Sequence, residues 1–370
     1  MRILHLLSSI LCALSLLLLA TNAAAQTVSL SEIPRLRIDP RAISVSGISS
    51  GAFMAVQFQV IHSANVSGAG VIAGGPYRCS EGSNAWSWMD QTGLYVATTV
   101  CSSTNPFGSF HGPPDVEFST NATIEAAQSG DIDDPVNLKN DRVWLFSGGK
   151  DDQVPTSVMN AVAEYYGAFV NEKNIVLEQL PDANHAMITE DFGNACDANG
   201  LPFINDCDFD AAEKIFTHIY GPLMPRAGAE DLTSVIAFDQ SEFFDLSDPS
   251  VSMNEVGHLY VPASCSAGAL CRLHVAFHGC EQFEERIGDA FFAHAGYNYW
   301  AESNGIVVLY PQTTAWSESA FPISENPKGC WDWWGYSGNN YYMKSGKQIR
   351  AIAAMINELL GEAVLETPAE

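Results

Sequence analysis

Cations are scarce in this chain: 17 Lys and Arg stand against 43 Asp and Glu, for a formal net charge of -26. Nucleic-acid binders neutralise phosphates with the residues that are missing, so the balance argues against a nucleic-acid partner. It argues equally against docking on an anionic membrane surface. Beyond residue 25 no apolar run approaches the roughly 20 residues that a membrane-spanning helix requires. Neither a repeat nor a compositional bias indicates collagen, coiled coil or a repeat array. No Cys-x-x-Cys pair occurs and no His stands at ligand spacing from a cysteine pair, which argues against zinc; no other metal or cofactor is implied. What is present is apolar: 47% hydrophobic residues, with 19 Phe, 12 Tyr and 8 Trp, too many for a disordered acidic tail. These features describe a large acidic globular protein whose charge keeps it soluble and monomeric.

The first 25 residues read as an address. Arg2 is followed by an apolar run, Ile10–Ala20, and by Ala23-Ala24-Ala25, the pattern of a cleaved signal peptide. An uncleaved anchor is the competing reading. Cleavage after Ala25 leaves residues 26–370, one unit more negative, in an extracellular setting, or a periplasmic one if the host is Gram-negative. It also removes Cys12 and leaves eight cysteines: Cys79, Cys101, Cys196, Cys207, Cys265, Cys271, Cys280 and Cys330. An even number in an exported chain indicates disulfides. Eight cysteines allow about a hundred connectivities. Short separations favour Cys79–Cys101, Cys196–Cys207 and Cys265–Cys271, which leaves Cys280 with Cys330.

Short apolar strands alternate with helices. Arg41–Ser46, Val71–Ala73, Val143–Phe146, Asn174–Leu180, Gly257–Pro262, Leu273–Phe277 and Gly305–Tyr310 read as strands. Ala52–Val60, Ser157–Val170 and a stretch near 346–361 read as helices. The alternation predicts a mostly parallel, doubly wound α/β sheet. Residues 221–255 are acidic and weakly periodic, and are expected to form a surface excursion rather than an interdomain linker.

Gly47-Ile48-Ser49-Ser50-Gly51 fits Gly-x-Ser-x-Gly between a strand and an apolar helix. There a sharp turn lifts a serine hydroxyl clear of the sheet, and the next amide, that of Ser50, can face an oxyanion. A nucleophilic serine needs a base and an orienting acid, and the chain order with this pentad is Ser, acid, His. Asp151 lies in the loop after strand 143–146, three residues before Val154-Pro155; Asp152 is the alternative. His185 opens the loop after strand 174–180 and is the candidate base. His278-Gly279-Cys280 closes strand 273–277 and offers the Cys280 amide as a second oxyanion donor. In ordinary hydrolases of this kind the His-Gly loop precedes the nucleophile; here it follows all three. Either it belongs to a second domain, or one sheet is circularly permuted. Permutation predicts strand 273–277 beside strand 43–46, and the C-terminal helix near the mature N-terminus.

Asn205–Asp210 begins like a calcium loop but lacks its sixth-position Gly and twelfth-position Glu, and reads instead as an acidic turn pinned by Cys207. Trp331, Trp333, Trp334 and Tyr336 place four aromatics in six residues, with strand-like alternation sending Trp331 and Trp333 to one face and Trp334 and Tyr336 to the other.

Several segments together resemble the secreted poly(3-hydroxybutyrate) depolymerases of the single-domain, circularly permuted type. They are the pentad with Ala52-Phe53-Met54 after it, Gly70–Tyr77, His278-Gly279-Cys280, Tyr310-Pro311-Gln312 and Gly329–Tyr336. The resemblance implies an α/β-hydrolase fold and a polyester substrate. It also implies a Ser49–His185–Asp151 triad, oxyanion amides at Ser50 and Cys280, and a Cys280–Cys330 disulfide holding that loop. It favours Trp331 and Trp334 as lining a substrate crevice. A feruloyl or acetylxylan esterase, a lipase or a poly-acid amidase would use the same machinery, and a binding protein could use the tryptophans alone.

Overall fold

Period-two alternation along each strand supplies two apolar faces, and helices cover both. The structure, a computed structural model, describes residues 27–82, 93–105, 109–229, 232–317 and 325–367. The expected signal peptide, with Cys12, lies outside them. In chain order come β1 (Arg37–Ile48), α1 (Ser50–Ile61), β2 (Val66–Ile72), α2 (Leu94–Thr99), α3 (Val116–Ser129), β3 (Arg142–Gly148), α4 (Thr156–Gly167) and β4 (Ile175–Leu180). Three short strands follow, β5 (Met187–Thr189), β6 (Asn194–Ala195) and β7 (Ile204–Asp206), and then α5 (Ala211–Tyr220). The remainder holds β8 (Ile236–Asp239), β9 (Val256–Tyr260), α6 (Ala263–Ser266), β10 (Leu270–Phe277), α7 (Glu284–Ile287), α8 (Ala290–His294), α9 (Tyr297–Asn304), β11 (Ile306–Tyr310) and α10 (Lys347–Leu360).

Eight strands form one sheet in the order β4-β3-β2-β1-β10-β11-β9-β8, parallel from β4 to β11 and antiparallel at the β9-β8 edge. Ile43, Val45, Leu273 and Val275 point into a core covered by α1, α4 and α10. Trp144, Phe146, Ala276 and Val308 point the other way, against α5, α8 and α9. Every residue of α1 is buried, as its largely apolar run requires, and the two glutamines within it, Gln57 and Gln59, have hydrogen-bond partners in the interior.

The His-Gly strand is no separate body. β10 pairs in parallel with β1, with Ala276 opposite Ser46 and Phe277 opposite Gly47. The chain's two ends meet as permutation predicts: Leu30 and Leu36 share a core with Leu359 and Leu360, and Arg35 Nη2 donates to the Gly361 carbonyl at 3.4 Å.

Two elements depart from the sequence reading. Residues 221–255 are more than a surface excursion, because β8 pairs antiparallel with β9 and buries Phe238 completely. A four-residue edge strand is too short to show a period. After it, the carboxylates of Asp239, Asp245 and Asp248 accept the backbone N–H two residues on, from Ser241, Ser247 and Ser250, and set irregular turns. The second departure is a separate sheet, β5-β7-β6, directly after His185. The Cys196–Cys207 disulfide closes it, and Asp210 caps α5 by accepting the Glu213 N–H at 2.9 Å. The acidic stretch 205–210 is therefore a strand end and a helix cap. The other disulfides are Cys79–Cys101, Cys265–Cys271 and Cys280–Cys330, so three pairs are those that the spacing favoured and the fourth is the one left over, as the resemblance implied.

Candidate active site

The carboxyl ends of β1, β3 and β4 and of the neighbouring β10 carry the candidate residues. Ser49 follows β1 with φ 56 and ψ -125, a left-handed conformation that costs a non-glycine residue strain. Its neighbours make the turn possible. A Cβ on Gly47 would lie 2.3 Å from Gly51 C, and one on Gly51 would lie 2.3 Å from the Phe277 carbonyl oxygen. Both positions therefore need glycine because backbone passes backbone. Ser49 is half-buried, and among the described residues its hydroxyl makes no hydrogen bond within the protein.

The acid and base loops are knitted together. Gly149 N–H donates to Leu180 O at 2.8 Å and Lys150 N–H to Ala183 O at 2.9 Å. Gly148 and Gly149 permit the approach, since a Cβ on either would fall within 2.5 Å of the Ala183 or Pro181 carbonyl oxygen. Asp151 Oδ1 accepts the N–H groups of Gln153 and Val154 at 2.9 and 2.8 Å. That holds Oδ2 toward His185 Nδ1, 2.8 Å away, with both side chains buried. A carboxylate can only accept, so Nδ1 carries the proton and Nε2 is the ring's bare nitrogen. Asp152 is exposed and faces Asn199, which removes it as the alternative acid.

The His-Gly loop lies against the elbow. A Cβ on Gly279 would sit 3.3 Å from Ser49 Cβ. His278 is buried and held at both nitrogens: Nδ1 donates to Gly279 O at 2.7 Å and Nε2 accepts the Thr313 N–H at 3.2 Å. Burial pushes its pKa down to about 4, so it stays neutral and is a strut rather than a base. Among the described residues the amides of Ser50 and Cys280 have no acceptor within the protein. The base segment joins the same rim, for Phe203 O accepts both the Met187 N–H at 2.9 Å and Gln282 Nε2 at 2.8 Å.

The tryptophans divide differently from the alternation. Residues 331–337 are no strand; they wrap around Asp332. Its Oδ1 accepts the N–H groups of Trp334, Gly335 and Tyr336, and its Oδ2 accepts the Ser337 N–H and hydroxyl. Trp331 is fully buried against Phe277 and His278, so it belongs to the core and does not reach a crevice. Trp333, Trp334 and Tyr336 instead share one cluster with Phe53, Leu94 and both cysteines of the Cys280–Cys330 disulfide. Phe53 stacks on Trp333 with ring centroids 3.8 Å apart. Asn326 anchors this wall by donating to Cys330 O at 2.7 Å and accepting its N–H at 2.8 Å. Sequence reasoning assigned no role to Asn326, Thr313 or Gln282, because their partners are remote in the chain or lie in irregular loops.

No protein-family model matches the chain. A poly(3-hydroxybutyrate) depolymerase of Delftia acidovorans is 42% identical over 333 residues, which are 88% of this chain but 61% of that protein. The chain thus spans about three-fifths of the length of that relative. A polyhydroxybutyrate depolymerase of Talaromyces funiculosus is 33% identical over 92% of this chain and 96% of its own. The crystal structure of a PHB depolymerase from Penicillium funiculosum superposes with a TM-score of 0.76 at 31% identity, covering 89% of this chain and 98% of that one. A serine-to-alanine PHB depolymerase complexed with an R3HB trimer matches with the same score and coverage. With one relative matched over nearly its whole length and a solved structure superposing over 89% of the chain, the chain belongs to the polyhydroxybutyrate depolymerase family.

Proposed function

We propose that this chain is an exported serine esterase that hydrolyses poly(3-hydroxybutyrate). The observation that carries the reading is the 2.8 Å bond from His185 Nδ1 to Asp151 Oδ2, made at the rim that also bears the strained, half-buried Ser49. In this mechanism His185 Nε2 takes the Ser49 proton as Oγ attacks the ester carbonyl carbon. The carbonyl oxygen becomes an oxyanion facing the Ser50 and Cys280 amides. Collapse breaks the ester C–O bond, and the imidazolium gives its proton to the leaving alkoxide. Water, deprotonated by the same nitrogen, then attacks the acyl-enzyme and frees a carboxylate end. Asp151 keeps the proton on Nδ1 throughout and stabilises the transient imidazolium.

The Phe53, Trp333, Trp334 and Tyr336 cluster is itself buried, with 4–9% of each residue exposed, so it forms the wall behind the Cys280 loop and offers a polyester only the edges of its rings. We assign Trp334 to that wall. The four disulfides fit an oxidising compartment, and among the described residues no helix is long and apolar enough to cross a membrane. With the Arg2, Ile10–Ala20 and Ala23-Ala24-Ala25 pattern, the disulfides support residues 1–25 as a signal peptide and 26–370 as one catalytic domain, and the strong negative charge supports a monomer.

The test is turnover of poly(3-hydroxybutyrate) granules and p-nitrophenyl esters beside release of ferulate from feruloyl esters. Granule clearing and p-nitrophenol release, both lost in Ser49→Ala, are expected. Ferulate release without clearing would move the substrate to plant cell-wall esters, and turnover by Ser49→Ala would end the serine mechanism.

A further inference from the structure

The peptide joining Gly279 to Cys280 has one carbonyl and one N–H, and the two point in opposite directions because the unit is planar. The Gly279 carbonyl is held by two donors, His278 Nδ1 at 2.7 Å and the Gln282 backbone N–H at 3.2 Å. The N–H of Cys280 must therefore face away from them. Between these residues Glu281 takes φ 59, which bends the chain back so that Gln282 can reach Gly279 a second time. Its Oε1 accepts the Gly279 N–H at 2.6 Å. Both donors of the same amide are used, Nε2 reaching Pro202 O at 3.0 Å and Phe203 O at 2.8 Å. Three partners fix which end is oxygen, since an N–H needs the oxygen and two carbonyls need the nitrogen. Gln282 is 1% exposed, so a lost partner would leave buried groups unpaired.

Two consequences follow. Gln282 occupies the Gly279 amide and leaves that of Cys280 as the loop's free donor. It also ties this loop to residues 202–203, whose Phe203 carbonyl accepts from Met187, two residues past His185. The oxyanion side and the base side of the rim thus share one side chain that touches neither substrate nor Ser49.

We infer that Gln282 is a positioning residue, which aims the Cys280 amide at the oxyanion and sets its register against the His185 segment. This inference rests on the serine-esterase reading. A peptide held by its neighbours alone could rotate and turn its carbonyl toward the oxyanion, removing a donor and adding a repulsive dipole. Loss of one preorganised oxyanion donor costs about a hundredfold to a thousandfold in kcat, and misaiming costs part of that.

The experiment compares Gln282→Met, which keeps length and removes all three hydrogen bonds, with Gln282→Glu, which keeps the acceptor for Gly279. Four properties are read in each: kcat and KM on p-nitrophenyl butyrate, affinity for a trifluoromethyl ketone that forms an oxyanion on Ser49, R3HB-trimer binding in a Ser49→Ala background, and melting temperature with near-UV circular dichroism. We expect kcat of Gln282→Met to fall about tenfold to a hundredfold with KM within about threefold. Ketone affinity should fall in parallel while trimer binding holds, and Gln282→Glu should recover part of kcat. Wild-type kcat in a folded Gln282→Met overturns the proposal. So does a loss that leaves ketone affinity intact, since that marks a merely structural residue. If Gln282→Met does not fold, Gln282→Glu decides: unchanged ketone affinity and kcat in it would show that the links to residues 202 and 203 set nothing. Turnover by Ser49→Ala would instead defeat the underlying reading, a result separable from all of these.

Discussion

Two serine–histidine neighbourhoods lie on this sheet within a few residues of each other, and they differ in kind. Along β1 and β10, Ser44 and Ser46 hold His274 between them, with Oγ atoms 2.6 Å from Nδ1 and 2.7 Å from Nε2. Tyr220 and Tyr297 complete that network through their hydroxyls. One turn later come Ser49, half-buried and unbonded, and His185, bonded to Asp151. The first pair has the closer hydrogen bond and is the inert one. His274 is wholly buried, and desolvation pushes its pKa down to about 3, so it cannot hold the proton that a nucleophile must surrender. It also has no carboxylate partner. In the proposed mechanism the chemistry goes with the incomplete site, which has the strained Ser49, a His185 bonded to Asp151 and two amides without acceptors; every polar atom of the complete one is already spent.

The contrast can be broken or sharpened by experiment. Ser49→Ala should cut ester hydrolysis by about a millionfold, whereas Ser46→Ala should leave kcat within about threefold. Comparable losses in the two, measured on p-nitrophenyl butyrate, would erase the distinction. Asp151→Asn should lower kcat about ten-thousandfold by releasing the wrong tautomer of His185, and Asp152→Asn should be close to wild type. Ser46→Ala should show itself in denaturant unfolding instead, costing about 1–3 kcal/mol because His274 and Tyr297 lose a partner in the interior.

Acid stability is a further test. His62, His274 and His278 are pushed by burial to about 3, 3 and 4, against 6.5 when free. Between about pH 6.5 and 4 the unfolded chain binds protons that the folded chain refuses. Stability therefore falls as pH drops through that window, by up to ~1.4 kcal/mol per pH unit for each histidine. Asp141 works the other way. Burial raises its carboxyl from 3.8 to about 7, so its contribution is present at low pH and fades as pH rises through 7. The melting temperature should drop from pH 7 to pH 5. Asp141→Asn should raise the melting temperature at pH 8 and raise it less at pH 5, because the penalty on the buried carboxylate builds up between about pH 3.8 and 7.

Much of this was legible along the chain. The Gly-x-Ser-x-Gly pentad between a strand and an apolar run is a local steric pattern, and Gly47 and Gly51 meet the backbone contacts it implies. The candidate acid Asp151 and candidate base His185 are read from their places just after strands, and the structure bonds the two to each other. Other features escaped. β8 is too short for a period to show. The tryptophans were given strand alternation, yet the Asp332 carboxylate gathers five donors and winds the segment round itself, so Trp331 goes to the core while Trp333, Trp334 and Tyr336 share one cluster. Gln282 carried no signal, because the carbonyls it binds lie about eighty positions earlier.

By itself, then, the order of residues indicated the alternation of strand and helix, the sharp turn at Ser49, a candidate acid and base, and three cysteine pairs by their short separations, with the fourth left by elimination. Each follows from short-range sterics, from period, or from how near two groups lie along the chain. Only the folded molecule decided that the His-Gly strand joins β1 in one sheet, which serine hydroxyls are spent on a histidine, and which aromatics cluster beside the Cys280–Cys330 disulfide. Those outcomes depend on burial and hydrogen bonding between segments hundreds of residues apart, and such contacts exist only once the sheet has closed around them.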